Sequence, residues 1–137
     1  MHKDHDTQLE AVVKLAKQLN NLTIMKKGSV DIISDGNQTI TNNTMGSLKR
    51  CGGIGDILSG ITGTYSCWCD QASKTDENFF QGDEITNPMI IAAYAASIAT
   101  RCSSFRACDN NNRSLIASDI IKEIAEECHR KFDLQFF

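Results

Sequence analysis

The sequence predicts an α/β domain in which a helix and short strands come first and further helices follow. Three patterns support this prediction: apolar residues at helical spacing near the start, short β-branched runs separated by a tight turn, and a glycine cluster that leads into a helix. The chain has 137 residues, which is the usual size of one domain.

The first part of the chain predicts one helix and three strands. Apolar side chains recur at helical spacing over residues 8–20, so we expect an amphipathic helix there. Leu22–Met25 and Val30–Ser34 are short, apolar and partly β-branched, as buried strands are. The turn residues Asp35–Asn37 follow, and Gln38–Thr41 is predicted to return as the third strand.

The middle of the chain predicts a loop that opens into a helix, then a second, buried helix. Glycines cluster at the start of Cys51–Gly60 and apolar helical spacing begins after them. Residues 70–86 are polar and predict a loop. Asn87 and Pro88 form a favourable N-cap and N1 pair for a helix over Met89–Arg101. Because this helix is apolar on nearly every face, we expect neighbours on both of its sides.

The end of the chain predicts one more helix after a polar loop at Asp109–Asn112. Ser118 or Asp119 is expected to cap that last helix, which carries an apolar stripe. Three short strands provide little sheet for a helix that is buried on both sides. We therefore expect residues 1–137 to form a single incomplete domain.

Composition and charge exclude several classes of protein. Fourteen Lys and Arg residues against seventeen Asp and Glu give a net charge of −3, which does not favour a nucleic-acid partner held by a broad basic surface. The longest mostly apolar run, Met89–Ala99, is far shorter than the roughly 20 residues that span a bilayer, so no membrane partner is predicted. The six cysteines contain no C-x-x-C pair, and reduced thiols are expected.

The glycine cluster is the segment that carries a chemical prediction. Gly52, Gly53 and Gly55 allow a ligand to approach the backbone, and a helix start directs free N–H groups and a positive dipole end towards an anion. Phosphate is therefore the predicted ligand. Asp56 lies in the first turn of the helix, where it either interacts with the helix dipole or acts as a general base on an attacking hydroxyl. The second role would explain a carboxylate beside a phosphate.

Basic residues near this segment have two interpretations. Lys27, Lys49 and Arg50 could each neutralise phosphate charge in a transition state. Each is equally explained as an ordinary solvated charge, and for any one residue taken alone that interpretation is preferred. The choice between the two interpretations remains open at the level of the sequence.

Three strings of residues resemble the ATP-dependent (S)-NAD(P)H-hydrate dehydratases of the ribokinase-like superfamily. They are Lys27-Gly-Ser-Val-Asp31, Ile32-Ile-Ser-Asp-Gly36, and Gly46-Ser-Leu-Lys-Arg-Cys-Gly-Gly-Ile-Gly-Asp-Ile-Leu-Ser-Gly60. The third string is highly specific, and the resemblance in order and spacing runs from about Leu22 to Phe132. Family members are roughly twice as long, which implies a partial ribokinase-like layered fold here: the C-terminal half of the sheet with flanking helices.

The resemblance also implies a reaction and its residues. ATP would phosphorylate the hydroxyl of a hydrated NADH or NADPH, and loss of phosphate would restore the reduced cofactor. Asp56 would take the hydroxyl proton and contact the hydrate, and Mg²⁺ would come with the nucleotide, without metal ligands assigned to the chain. The implied ATP-binding residues are Lys27, Gly28, Ser29, Val30, Asp31, Gly46, Ser47, Leu48, Lys49, Arg50, Cys51, Gly52, Gly53, Ile54 and Gly55.

Two other functions remain open beside this ATP-dependent lyase. One is a ribokinase-like small-molecule kinase that stops at the phosphoester. The other is a non-catalytic nucleotide-binding or interaction remnant, whose open sheet edge would need a partner. The predicted partner is a small-molecule substrate, and homo-oligomerisation is left open. The predicted compartment is the cytoplasm, or the mitochondrion if a targeting peptide lies in an N-terminal part that precedes this chain.

Overall fold

The computed structural model describes residues 2–76, 79–82 and 84–133. Its main elements in chain order are α1 (His2–Gln18), β1 (Ile24–Lys26), β2 (Asp31–Ser34), β3 (Thr39–Asn42), α2 (Ile54–Thr75), α3 (Pro88–Asn111) and α4 (Ala117–Cys128). A 3₁₀ turn over Asn112–Ser114 precedes α4, and a π-helical turn over His129–Asp133 follows it. None of the described helices is both long enough and apolar enough to cross a membrane.

The chain forms two compact units. The first consists of Met1–Asn43 and Tyr65–Tyr94, and the second of Thr44–Thr64 and Ala95–Phe137. The mixed α/β class predicted from the sequence is confirmed by the strands and helices of these units. The single incomplete domain over residues 1–137 stays a prediction.

The first unit contains a three-stranded antiparallel sheet with β2 at its centre. In the register of this sheet, Ile33 of β2 pairs with Met25 of β1 on one side and with Ile40 of β3 on the other. Ile33 is fully buried in a cluster with Ile90 and Ala93, which lie in the first turns of α3. Burial of a β-branched side chain on the central strand is what fixes the register of such a small sheet.

The turn between β2 and β3 has the structure that its residues predict. Gly36 has a φ of 91°, which favours glycine, and Asp35 Oδ1 accepts hydrogen bonds from the N–H groups of Asn37 at 2.8 Å and Gln38 at 2.7 Å. Asp35 Oδ2 accepts a further hydrogen bond from Asn87 Nδ2 at 2.7 Å. Burial raises the pKa of Asp35, but these hydrogen bonds outweigh burial and hold the pKa below its ordinary value.

Asn87 caps α3, as the Asn–Pro pair predicts. Its Oδ1 accepts a hydrogen bond from the Met89 N–H at 2.9 Å, and its carbonyl oxygen accepts one from the Ile90 N–H at 3.1 Å. Pro88 occupies the first helical position, where a missing N–H costs nothing. The same asparagine therefore starts α3 and ties it to the turn at Asp35.

The second unit is organised around a separate apolar cluster. Three residues are fully buried there: Ala107 of α3, Leu115 just before α4, and Ile120 of α4. The half-buried residues packed against them come from Gly46–Gly55 (the glycine segment), the start of α2 and the end of α3: Cys51, Ile54, Ile57 and Cys108. The glycine segment thus rests on the core of this unit. Cys51, Cys67, Cys69, Cys102 and Cys108 are free thiols in the structure.

Three helices are longer than the sequence predicts, and the first is α1, which begins at His2 rather than at residue 8. α2 continues through Thr75, into the segment expected to be a loop, where Lys74 and Asp70 form an i,i+4 ion pair at 2.6 Å. α3 continues through Asn111 although Asp109–Asn112 was expected to be a surface loop. Its second half is buried at Ser104 and Ala107, so tertiary packing outweighs the weak helix propensity of the polar run.

A charged network joins α3 to α4 within the second unit. Glu127 is only 4% exposed, and its Oε1 lies 2.9 Å from Nη1 of Arg106 and 2.9 Å from Nη1 of Arg130. Arg106 Nε also lies 2.9 Å from Glu123 Oε2. Burial raises the pKa of Glu127, but the hydrogen bonds from Arg106 and Arg130 outweigh burial and lower it.

We predict that Glu127→Gln makes the unfolding free energy less dependent on pH at acid pH. The folded-state pKa of Glu127 lies below its ordinary value of 4.5, so its stabilising contribution is complete above that value. The contribution is lost as the pH falls through the lowered pKa. Chemical denaturation between about pH 6 and pH 3 should show a shallower loss of stability in Glu127→Gln than in the unmodified chain.

Glu126→Gln is the matched control, because Glu126 is 57% exposed and lies 3.8 Å from Arg106. We expect the control to retain the pH dependence of the unmodified chain, since exposed ion pairs contribute little. Equal slopes in Glu127→Gln and the unmodified chain would contradict the role given to the buried carboxylate.

Candidate functional site

The glycine segment lies in the second unit and leads into α2, as predicted. The Ile57 N–H donates to the Gly53 carbonyl oxygen at 3.0 Å, so the helical hydrogen-bond pattern starts at this glycine. The N–H groups of the first turn have no acceptor within the helix itself, and the dipole places positive potential at this end. Such a helix start is suited to an anion.

Two adjacent glycines of this segment have different surroundings. Gly53 has a φ of 92°, and a Cβ added to it would lie 2.9 Å from the Cβ of Ala117. Both its backbone conformation and its close packing on α4 therefore require a glycine at position 53. A Cβ added to Gly52 would meet nothing within 4 Å, and Gly52 is exposed. The space beside Gly52 is open to a ligand.

Asp56 lies in the first turn of α2 and is exposed. It directly follows Gly55, so the carboxylate belongs to the same turn as the free N–H groups. Ser59 and Gly60, three and four positions further along the helix, are also exposed. A carboxylate in this place is available to a substrate and also interacts favourably with the helix dipole.

The start of the glycine segment is attached to α3. Ser104 Oγ accepts a hydrogen bond from the Ser47 N–H at 3.1 Å, and Arg101 Nη1 donates to the Thr44 carbonyl oxygen at 2.9 Å. A Cβ added to Gly46 would lie 3.4 Å from both Arg101 Cγ and Ser104 Oγ. Gly46 is therefore a close-packing residue in this unit.

The centre of the segment is held by a lysine that the sequence predicts as an ATP ligand. Lys49 Nζ donates to the carbonyl oxygen of Arg113, and to that of Leu115 at 3.1 Å. The Lys49 N–H in turn donates to Ser47 Oγ at 3.0 Å. The adjacent residues are also predicted to bind ATP, and of these Arg50 is exposed and Leu48 is 95% exposed. Lys49 thus has structural contacts in addition to its positive charge.

The other predicted ATP-binding string lies in the first unit. The Gly28 N–H donates to Asp31 Oδ1 at 2.9 Å, which closes the turn between β1 and β2. Asp31 is buried, Val30 is half-buried, and Lys27 and Ser29 are exposed. The string is therefore a tight turn whose buried carboxylate shapes the backbone and whose basic residue faces solvent.

Ser104 and Arg101 are the site residues that sequence reasoning missed. Each contacts the glycine segment across 57 positions of sequence, and no local motif reports such a contact. The only signal was the presence of polar residues in a long helix that is otherwise apolar. The described residues contain no group of three or more His, Cys, Asp or Glu side chains placed to hold a metal ion.

The fold and the site define a mixed α/β protein in which a glycine-rich segment enters the N-terminus of a helix. The sequence model of the NAD(P)H-hydrate dehydratase family matches residues 1–126. The chain belongs to this family.

Curated relatives carry the same family name. The chain is 42% identical over 112 residues to an ATP-dependent (S)-NAD(P)H-hydrate dehydratase of Dictyostelium discoideum, an alignment that covers 81% of this chain and 36% of the relative. It is 34% identical to the protein of that name from Ciona intestinalis, with 89% of this chain and 31% of the relative covered. For the Homo sapiens protein the identity is 33%, with 95% and 36% covered.

The chain spans about a third of the length of the curated relatives that it matches. The resemblance identified from the glycine string is thus confirmed at the level of the family. The roles of the individual site residues stay predictions.

We predict that Gly53→Ala lowers the free energy of unfolding while Gly52→Ala leaves it nearly unchanged. An alanine at position 53 must adopt a positive φ and displace Ala117, at a cost of about 1–3 kcal/mol. At position 52 the methyl group enters open space, and the change should stay within about 0.5 kcal/mol. Denaturant titration of the two variants measures this difference, and equal stabilities would contradict the two distinct roles.

Proposed function

We propose that this chain carries the ATP-binding loop and the general base of an ATP-dependent (S)-NAD(P)H-hydrate dehydratase. In this proposal it is the C-terminal half of a ribokinase-like domain, with its part of the sheet and the flanking helices. Support comes from family membership, from the names of the relatives and from the glycine segment at the start of α2. The observation that carries the proposal is the exposed Asp56 in the first turn of α2, where a helix has N–H groups without acceptors of its own.

The proposed reaction removes water from NADH or NADPH that has been hydrated on the dihydronicotinamide ring. The hydroxyl oxygen attacks the γ-phosphorus of ATP, the bond from that phosphorus to ADP breaks, and Asp56 takes the hydroxyl proton. The ring nitrogen then expels phosphate as the C–O bond breaks, and loss of a proton from the adjacent ring carbon restores the double bond. Phosphorylation is needed because hydroxide is a poor leaving group and phosphate is a good one.

The glycine segment supplies the electrostatic part of this chemistry. The N–H groups at the start of α2 stabilise the negative charge that spreads over the phosphoryl oxygens. Open space beside Gly52 lets the phosphates approach the backbone, and Arg50 adds an exposed positive charge to the same segment. Lys49 contributes its charge while its ammonium binds main-chain carbonyl groups.

The remaining nucleotide assignments rest on the family resemblance. Lys27, Gly28, Ser29, Val30 and Asp31 are proposed as ATP-binding residues on that basis, with exposed Lys27 as the charged residue of the string. Mg²⁺ is proposed to arrive with the nucleotide, since this ion prefers phosphate oxygens and water to a dedicated set of protein ligands.

The first test of the proposal is Asp56→Asn. We expect ATP binding to be retained and the recovery of NADH from its hydrate to fall by about 10²–10⁴-fold, because the amide cannot accept the hydroxyl proton. Absorbance of the reduced nicotinamide ring follows turnover, and calorimetric titration follows ATP binding. Asp109→Asn is the matched control: it removes the same charge from an exposed position on α3 of the second unit.

Three outcomes separate the proposal from its alternatives. Near-normal turnover in Asp56→Asn would refute the general-base role. A stable phosphorylated hydrate without recovery of NADH would favour the small-molecule kinase. ATP binding by the unmodified chain without any turnover would favour a non-catalytic nucleotide-binding protein.

The second test concerns the glycine segment and uses Gly52→Ala. A methyl group there blocks the approach of phosphate to the backbone, and we expect the affinity for ATP to fall about tenfold, or about 1.4 kcal/mol. Gly60→Ala is the matched control, because Gly60 is also exposed and a Cβ added to it also meets nothing within 4 Å. Equal ATP affinities of the two variants would show that the phosphates do not approach Gly52.

A further inference from the structure

The hydroxyl group of Ser104 is placed to orient the start of the glycine segment. Ser104 is 5% exposed, and its Oγ donates to the Arg101 carbonyl oxygen at 2.9 Å. With its hydrogen committed to that bond, the oxygen presents a lone pair to the Ser47 N–H, which it accepts at 3.1 Å. The position of the Ser47 backbone is therefore set by a buried helical side chain.

Neighbouring contacts hold the same end of the segment. Arg101, one turn before Ser104, donates from Nη1 to the Thr44 carbonyl oxygen at 2.9 Å. Gly46, between Thr44 and Ser47, packs closely on both side chains. Three points of the backbone between Thr44 and Ser47 are thus held against one turn of α3.

This attachment matters because a glycine-rich segment loses much conformational entropy when it becomes ordered. Glycine loses more conformational freedom on ordering than any other residue, so a free glycine-rich segment would lose binding energy when a ligand orders it. A segment that is ordered beforehand avoids that loss and binds more tightly. On the other side of Gly52, Gly53 packs so closely on Ala117 that no side chain fits between them.

We propose that Ser104 is a positioning residue for nucleotide binding, acting through the Ser47 N–H to hold the glycine segment in its ligand-binding conformation. This inference rests on the proposed function, because it takes ATP to be the ligand of the segment. Ser104 itself does not contact the ligand. Arg101 supports the same conformation through Thr44.

Ser103 provides a matched control for this role. It precedes Ser104 in α3, it is fully buried, and within the described part of the chain its hydroxyl has no hydrogen-bond partner. Ser103→Ala and Ser104→Ala therefore remove the same atom from the same buried helix. Only the second variant removes a hydrogen bond to the glycine segment.

The experiment compares these two variants with the unmodified chain. We expect Ser104→Ala to weaken ATP binding about fivefold in calorimetric titration, and Ser103→Ala to stay within about twofold of the unmodified chain. In ¹H–¹⁵N spectra without nucleotide, the Ser47 amide should shift and exchange faster with solvent in Ser104→Ala only. Loss of stability alone would not move that single amide.

The outcomes distinguish this inference from the proposed function. ATP binding by the unmodified chain, with equal affinities in the two variants, would overturn the role of Ser104 and leave the function standing. Absence of ATP binding by the unmodified chain would overturn both. If Ser104→Ala does not fold, Arg101→Met at a half-buried position is used instead. Affinity in Arg101→Met equal to that of Ser103→Ala would then overturn the proposal.

Discussion

The second unit depends on one constraint: a glycine-rich segment must be held in place by the residues around it. Glycines give the segment backbone freedom, and that freedom opposes a single conformation. Contacts restrict this backbone freedom at three points: with Ser104 at the start of the segment, by Lys49 in its centre and with Ala117 at its end. The apolar cluster around Leu115 then fixes the helices that provide these contacts. Together these contacts hold the backbone that leads into α2.

The glycines of the segment illustrate why a motif cannot be assigned one role. Gly46 is required for close packing on α3, and Gly53 for its positive φ and its contact with α4. Gly52 has neither requirement, and the space beside it is free. Lys49 has a comparable double character, since a charge beside a predicted phosphate site is also a hydrogen-bond donor to two carbonyl groups. Within Gly46–Gly55, residues with structural roles therefore lie beside residues with proposed functional roles, and Lys49 has both.

The fold class and the glycine segment could be predicted from local patterns in the sequence, whereas the long-range packing could not. The Asn87–Pro88 cap and the turn at Gly36 follow from side-chain chemistry within four residues, and both are confirmed. The predicted end of α3 was wrong, because burial of the second half of this helix stabilises it although its polar residues disfavour a helix locally. Ser104 could not be predicted, since its partner lies 57 positions away.

Contact between Gly53 and Ala117 has a thermodynamic consequence for α4. The first residue of α4 packs against the backbone that begins α2, so opening of α4 releases the end of the glycine segment. A ligand that binds only the ordered segment must then raise the free energy of opening α4, by an amount that grows with the ratio of the ligand concentration to its Kd. By reciprocity, any contact that stabilises α4 also raises the affinity for the ligand. An amphipathic helix more than sixty positions from Asp56 is in this way part of the same binding equilibrium.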